Sequence, residues 1–119
     1  MKIYIFGTGY RLSELADALA PRREDVLTLT LDPRTQEQLR NHHYAVRTAD
    51  PTTTTLADLG LQTTPEDILL VCDFDEARLE AILRNIQRQS LPATVLVFTP
   101  QSARSLSRQF PQFLFKSHK

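Results

Sequence analysis

Lys2-Ile3-Tyr4-Ile5-Phe6 runs directly into Gly7-Thr8-Gly9, and no further glycine follows until Gly60. A short apolar strand feeding a Gly-x-Gly turn at a helix start is how α/β folds build a phosphate site. The first glycine permits a turn that a Cβ would obstruct. The second lets a pyrophosphate approach backbone N–H groups at the positive end of the helix dipole. The third small position of such a fingerprint holds Leu12. That position governs how closely helix and strand pack, so Leu12 predicts a first helix seated differently on the sheet and a pocket that is altered or takes no ligand.

Outward from this turn, strand and helix periods alternate. Leu12, Leu15, Ala16 and Leu19 repeat at i, i+3, i+4, i+7 and predict a helix that Pro21 ends. Residues 26–31 read as a second strand, and Asp32-Pro33 then starts a helix through about Asn41, with Asp32 as N-cap. Residues 44–47 form a short third strand, followed by Asp50-Pro51, a threonine run and a small helix around Leu56 and Leu59 that Gly60 ends. Ile68-Leu69-Leu70-Val71 is a continuous apolar run suited to a strand buried on both faces. Leu79, Ile82, Leu83 and Ile86 mark a helix over 75–89, residues 94–98 return to strand character, and a weaker helix spans 102–109. Phe113-Leu114-Phe115 supplies an edge strand at about 112–115. Crossovers this long imply parallel strands and right-handed connections. The expected fold is an α/β, doubly wound, Rossmann-like six-stranded parallel sheet of order 3-2-1-4-5-6, one domain over residues 1–119.

Composition narrows the function classes. Fourteen basic and fourteen acidic residues among 119 leave no net charge to steer the chain to nucleic acid or to an anionic membrane. No apolar run approaches the roughly 18–20 residues of a membrane span, so direct membrane insertion is not expected. A single cysteine, Cys72, excludes an internal disulfide, and the first residues are strand-like instead of a signal segment. A cytoplasmic location is the expectation.

Several short motifs follow one another in a set order. These are Gly7-Thr8-Gly9, Leu29-Thr30-Leu31-Asp32-Pro33, Ala49-Asp50-Pro51-Thr52, Leu56-Ala57-Asp58-Leu59-Gly60-Leu61 and Val71-Cys72-Asp73-Phe74-Asp75-Glu76-Ala77. Together, over about residues 1–99, they resemble the TrkA-N family, the N-terminal nucleotide-binding half of RCK domains that regulate potassium channels and transporters. The resemblance implies a sensor and not a catalyst, binding NAD(H) or an adenine nucleotide (ATP, ADP or AMP). It also implies a homodimer that answers to a channel or transporter subunit. Similar domains are fused to DHH-type phosphoesterases. Members usually continue into a crossover helix and a C-terminal ligand domain, so the chain reads as an isolated N-terminal half.

Carried over by residue, the family pattern is incomplete. Its third glycine falls on Leu12, its ribose-binding carboxylate on Thr30, its Gly-Asp pair on Ala49-Asp50, and its asparagine on the fourth helix on Arg78. Asp32 matches a second acidic position. Loss of a ribose carboxylate removes a charged acceptor worth about 1.5–3 kcal/mol. A degenerate scaffold for dimerisation or assembly is therefore the alternative function, and an oxidoreductase subdomain a third.

The expected cofactor-binding set is Gly7, Thr8, Gly9, Tyr10 and Arg11 at the phosphate turn, Thr30, Asp32 and Arg34 after the second strand, Asp50 after the third and Asp73 after the fourth. Arg11 offers a planar guanidinium to phosphate. Thr30 offers one hydrogen bond to a ribose hydroxyl, and without a carboxylate there Arg34 is able to hold a 2′-phosphate. Asp32 suits capping better than ligation. Asp75 and Glu76 stand where the positive end of a helix favours them, whereas Asp73 borders the crevice at the strand ends. His42-His43 has no partner cluster for a metal, and no Gly-x-Ser-x-Gly elbow surrounds a serine. Catalytic machinery is not visible in the sequence.

Overall fold

Tyr4 and Phe6 belong to one apolar cluster, Ile3 and Ile5 to another, and all four are buried. A strand that buries both sets of alternate side chains has to lie inside a sheet covered on both faces. The computed structural model describes residues 1–7, 10–73, 75–99 and 104–117 and has that architecture. Strands β1 (Ile3–Gly7), β2 (Val26–Thr30), β3 (Ala45–Thr48), β4 (Ile68–Cys72), β5 (Thr94–Thr99) and β6 (Leu114–Ser117) are all parallel, in the order β3-β2-β1-β4-β5-β6. Helices α1 (Tyr10–Ala18) and α2 (Pro33–Asn41) supply Ala16 and Leu39 to the cluster of Ile3, Ile5, Val26 and Leu70. Helices α3 (Glu76–Gln89) and α4 (Arg104–Gln109) cover the other face. The chain is thus a doubly wound α/β domain with the order expected from the sequence.

Helix α3 has the strongest local logic. Asp75 caps it by accepting from Ala77 N and Arg78 N, and Leu79, Ile82, Leu83 and Ile86 form a stripe that is at most 2% exposed. Burial of each such side chain is worth about 1.5–3 kcal/mol relative to exposure. At its far end Ser90 takes the left-handed conformation that closes the helix.

Boundaries shift where side chains pull the backbone. Pro21 does not simply end the first helix: it lies in the first turn of a 3₁₀ segment, Ala20–Asp25, that leads into β2. The small helix near Leu56 is a single 3₁₀ turn, Ala57–Leu59, closed by Gly60 at φ +72°. Tyr44 precedes β3 and is buried, with its hydroxyl donating to the Ala16 carbonyl. Phe113 stacks on Phe110 at 5.7 Å between ring centroids, and β6 starts at Leu114, two residues later than the expected 112–115. Of the weaker helix expected over 102–109, residues 102 and 103 lie outside the described part and Arg104–Gln109 is helical.

Asp67 ties the amino-terminal edge of the sheet together. Its carboxylate accepts from Lys2 N at 2.8 Å and Thr64 N at 2.9 Å, and its carbonyl accepts from Thr94 N at 3.1 Å. The starts of β1, β4 and β5 therefore converge on one residue. The Lys2 N–H above all, aided by Thr64, holds the Asp67 carboxyl below the usual carboxylate range against the opposing effect of burial. A depressed carboxyl stabilises the fold at pH values above its unfolded pKa and loses that contribution as the pH falls through its folded value. Unfolding followed from pH 7 to pH 2 is expected to show a loss of stability below about pH 4. In Asp67→Asn that loss is smaller and the protein is already weaker at pH 7.

Candidate functional site

Gly7, Thr30, Asp32, Asp50 and Asp73, singled out from the sequence, lie at or just beyond the carboxyl ends of their strands. In the order β3-β2-β1-β4, connections leave β1 and β4 toward opposite faces, which opens a crevice between these strand ends. Gly7 ends β1 at that point, in register with Cys72 of β4. Its φ is +137°, and an ideal Cβ built on it would lie 1.7 Å from the Cys72 carbonyl oxygen. The strand end is therefore open only to glycine, for a reason internal to the sheet. Thr8 and Gly9 lie outside the described residues, as do the side chains of Tyr10, Arg11 and Leu12, whose backbone begins α1.

Around β2, polar groups are engaged with one another. Thr30 is fully buried, and its hydroxyl accepts from Asp32 N at 3.1 Å. Its carbonyl accepts from Gln36 Nε2 at 2.7 Å, and the same amide reaches Thr48 Oγ1 at 3.0 Å. Asp32 caps α2, accepting from the backbone N–H and hydroxyl of Thr35. Arg34 is exposed in the first turn of α2. Gln36 was not singled out from the sequence, although it is the side chain that clamps the ends of β2 and β3 together.

Beyond β3 and β4 the edge is charged. Asp50 accepts from Thr52 N at 3.0 Å and Thr52 Oγ1 at 2.6 Å, and these bonds, with a smaller effect from the Arg78 charge, hold its carboxyl below the usual range. Asp73 has a side chain 0% exposed; its two oxygens accept from Arg78 Nε at 2.8 Å and Asp75 N at 2.9 Å. The hydrogen bond to Asp73 pushes the Arg78 guanidinium above its ordinary value, with Asp75 and Asp50 adding smaller effects of the same sign. Arg78, at a position where the sequence departs from the family pattern, is thus held by Nε while its side chain stays 46% exposed at the crevice.

The segment carrying Asp50 is stapled to α3 by two amides that sequence reasoning passed over. Buried Asn85 donates from Nδ2 to Pro51 O at 3.1 Å and Thr54 O at 2.9 Å. Gln89 accepts from Leu56 N at 3.0 Å and donates to Asn85 O. Polar residues on the buried side of a helix are the signal that would have found them, since a buried amide needs partners. Concavities of about 220, 550 and 610 Å³ are lined by described residues other than Asp50, Asp73 and Arg78. The crevice is identified by its topology and its charged groups. Among the described residues no group of His, Cys, Asp and Glu is arranged to hold a metal, and no helix is long and apolar enough to cross a membrane.

No protein-family model matches the chain, and no curated protein sequence matches it significantly. Solved structures do match. A crystal structure of a xanthine dehydrogenase from Bacillus halodurans superimposes with a TM-score of 0.63 at 16% identity. The match covers 99% of this chain and 34% of that one, so the chain spans about a third of its neighbour's length. Likeness at this level of identity is a likeness of fold.

Substitutions at Gly7 and Arg78, each with a control elsewhere, measure how firmly the edge is built. Gly7→Ala is expected to cost about 3 kcal/mol or more in denaturant unfolding, because backbone strain and a carbonyl clash coincide. Gly60→Ala, with nothing near the added Cβ, is expected to cost only about 1–2 kcal/mol. Arg78→Ala leaves the Asp73 carboxylate buried without its cation. Solvent screening of the half-exposed guanidinium keeps the expected loss at about 1–3 kcal/mol, below that of a fully buried pair. Arg84→Ala, which breaks the more exposed pair with Glu80, is expected to cost under about 1 kcal/mol, and adding Asp73→Asn to Arg78→Ala recovers part of the larger loss.

Proposed function

We propose that the chain is a nucleotide-binding regulatory domain, without catalysis of its own, that takes an adenine nucleotide or NAD(H) at the carboxyl edge of the sheet. The observation that carries this is the gathering of Asp50 and the Asp73–Arg78 pair beside the Gly7 strand end, at the β1/β4 switch point. Open α/β sheets bind ligands in that crevice. Around Arg78 stand three carboxylates, Asp50, Asp73 and Asp75, which make the β3/β4 side unfavourable for phosphate. Hydrogen-bond donors such as ribose hydroxyls and the adenine amino group suit that side. Phosphates suit the start of α1, where the helix dipole favours anions by about 0.3–1 kcal/mol.

Thr30 does not fit the part of a donor to a ribose hydroxyl. Its hydroxyl is buried and engaged by Asp32 N, so Asp50 is the carboxylate left to receive nucleoside hydroxyls. This same engagement favours the alternative, a scaffold that dimerises or assembles with no ligand. The resemblance to TrkA-N sequences supports regulation of a potassium channel or transporter subunit as the setting, with a DHH-type phosphoesterase as the other context.

Calorimetric titration with NAD(H), NADP(H), ATP, ADP and AMP tests the proposal. Saturable binding of at least one is expected, accompanied by a raised melting temperature and weakened about tenfold by Asp50→Asn, equivalent to about 1.4 kcal/mol. Silence with all of them, together with a dimer in light scattering whether or not nucleotide is added, would leave the scaffold as the function.

A further inference from the structure

A cleft of about 610 Å³ lies at the other end of α3, between its last turn and the segment that follows the Ala57–Leu59 turn. Leu61 and Leu91 give it apolar walls, and Thr63, Asn85, Arg88 and Gln89 supply its polar groups. The amides are already committed: Asn85 holds Pro51 O and Thr54 O, while Gln89 bonds Leu56 N and Asn85 O. Arg88 has no ion pair among the described residues. The Thr63 hydroxyl is buried against the wall with no hydrogen-bond partner among them, a condition that ordinarily costs about 1–3 kcal/mol. What remains for a ligand, beside the exposed Gln62 and Ser90 at the rim, is therefore a guanidinium, a hydroxyl and apolar surface.

We propose that this cleft is a second binding site, for a small organic carboxylate with an apolar body. The carboxylate meets Arg88, Thr63 turns about its Cα–Cβ bond to donate to it, and the body packs on Leu61 and Leu91. A carboxylate accepts from both donors at once and carries the charge opposite to the guanidinium, whereas a neutral amide accepts from it without an opposing charge. The site also has a route to the opposite end of the sheet. Asn85 and Gln89 line the cleft and at the same time hold the segment that begins at Asp50, so occupancy presses on the staples of the charged edge.

Arg88 has a structural role as well, since a cation in the last turn favours the helix dipole. The experiment separates the two. ¹⁵N-labelled protein without nucleotide is titrated with 4-phenylbutyrate and, separately, with its uncharged counterpart 4-phenylbutyramide. The proposal expects saturable shifts of the Leu61, Gln62 and Thr63 amides and of the Asn85 and Gln89 side-chain amides, with Thr52–Thr54 moving along the same curve. It expects the amide to bind about tenfold more weakly, and Arg88→Gln to abolish that preference while the remaining spectrum is retained. Thr63→Val is expected to weaken the carboxylate severalfold. Unsaturable or scattered shifts, equal binding of acid and amide, or an unchanged preference in Arg88→Gln would overturn the site. Binding that leaves Thr52–Thr54 unmoved would overturn the link to the charged edge. Because nucleotide is absent throughout, failure here is distinguishable from failure of nucleotide binding.

Discussion

The structure depends on how closely the end of β1 approaches the end of β4. A backbone carbonyl from Cys72 occupies the volume that any Cβ at position 7 would need, so the two central strands converge at the point where the chain must leave the sheet. Everything at the carboxyl edge is referred to that convergence. It sets where α1 starts, and it sets how far Asp73, one residue beyond Cys72, stands from the crevice. A glycine needed by the sheet itself is equally necessary with or without a ligand. Gly7 thus speaks first of folding and only then of phosphate.

A second layer of organisation is carried by amides. Gln36 joins β2 to β3, and Asn85 with Gln89 fastens the segment after β3 onto α3. The Asn85 and Gln89 bonds satisfy two carbonyls, Pro51 O and Thr54 O, and the Leu56 N–H in a connection outside strand and helix. They also convert a polar connector of consecutive threonines into a fixed support for Asp50. The rigidity of the charged edge therefore comes from side chains lying well behind it.

The two-faced core and most helix limits were legible because each follows from local period: the Leu79 stripe, the Ile68–Cys72 run and the Asp32-Pro33 start are all local patterns, and strand order followed from the long right-handed crossovers between them. Errors arose where a particular side-chain contact decided. Tyr44 leaves its strand for a hydrogen bond to Ala16, 28 residues away, and Phe113 leaves β6 to stack on Phe110. At the edge, sequence order brought Asp50 and Asp73 forward through their strand ends. It could not reveal that Thr30 is buried, or that Arg78 is the cation holding Asp73, because both depend on side-chain direction. Gln36, Asn85 and Gln89 were missed for the same reason: an amide looks alike on paper whether it faces solvent or two carbonyls.

Pairing of β1 with β4 also bears on how the chain comes to fold. Ile3 lies opposite Ile68, and the strands between them in sequence, β2 and β3, extend the sheet on the other side of β1. A growing chain can form a β1-β2-β3 sheet once residue 48 has emerged, but the inner edge of β1 then presents unpaired N–H and C=O groups flanked by apolar side chains. Closing that edge waits for a segment more than sixty residues downstream of Ile3. The entropy of so long a closure rises only slowly with length, yet the open edge persists for as long as synthesis takes to reach β4. The most buried seam of the finished domain is, during its making, the surface most exposed to wrong partners.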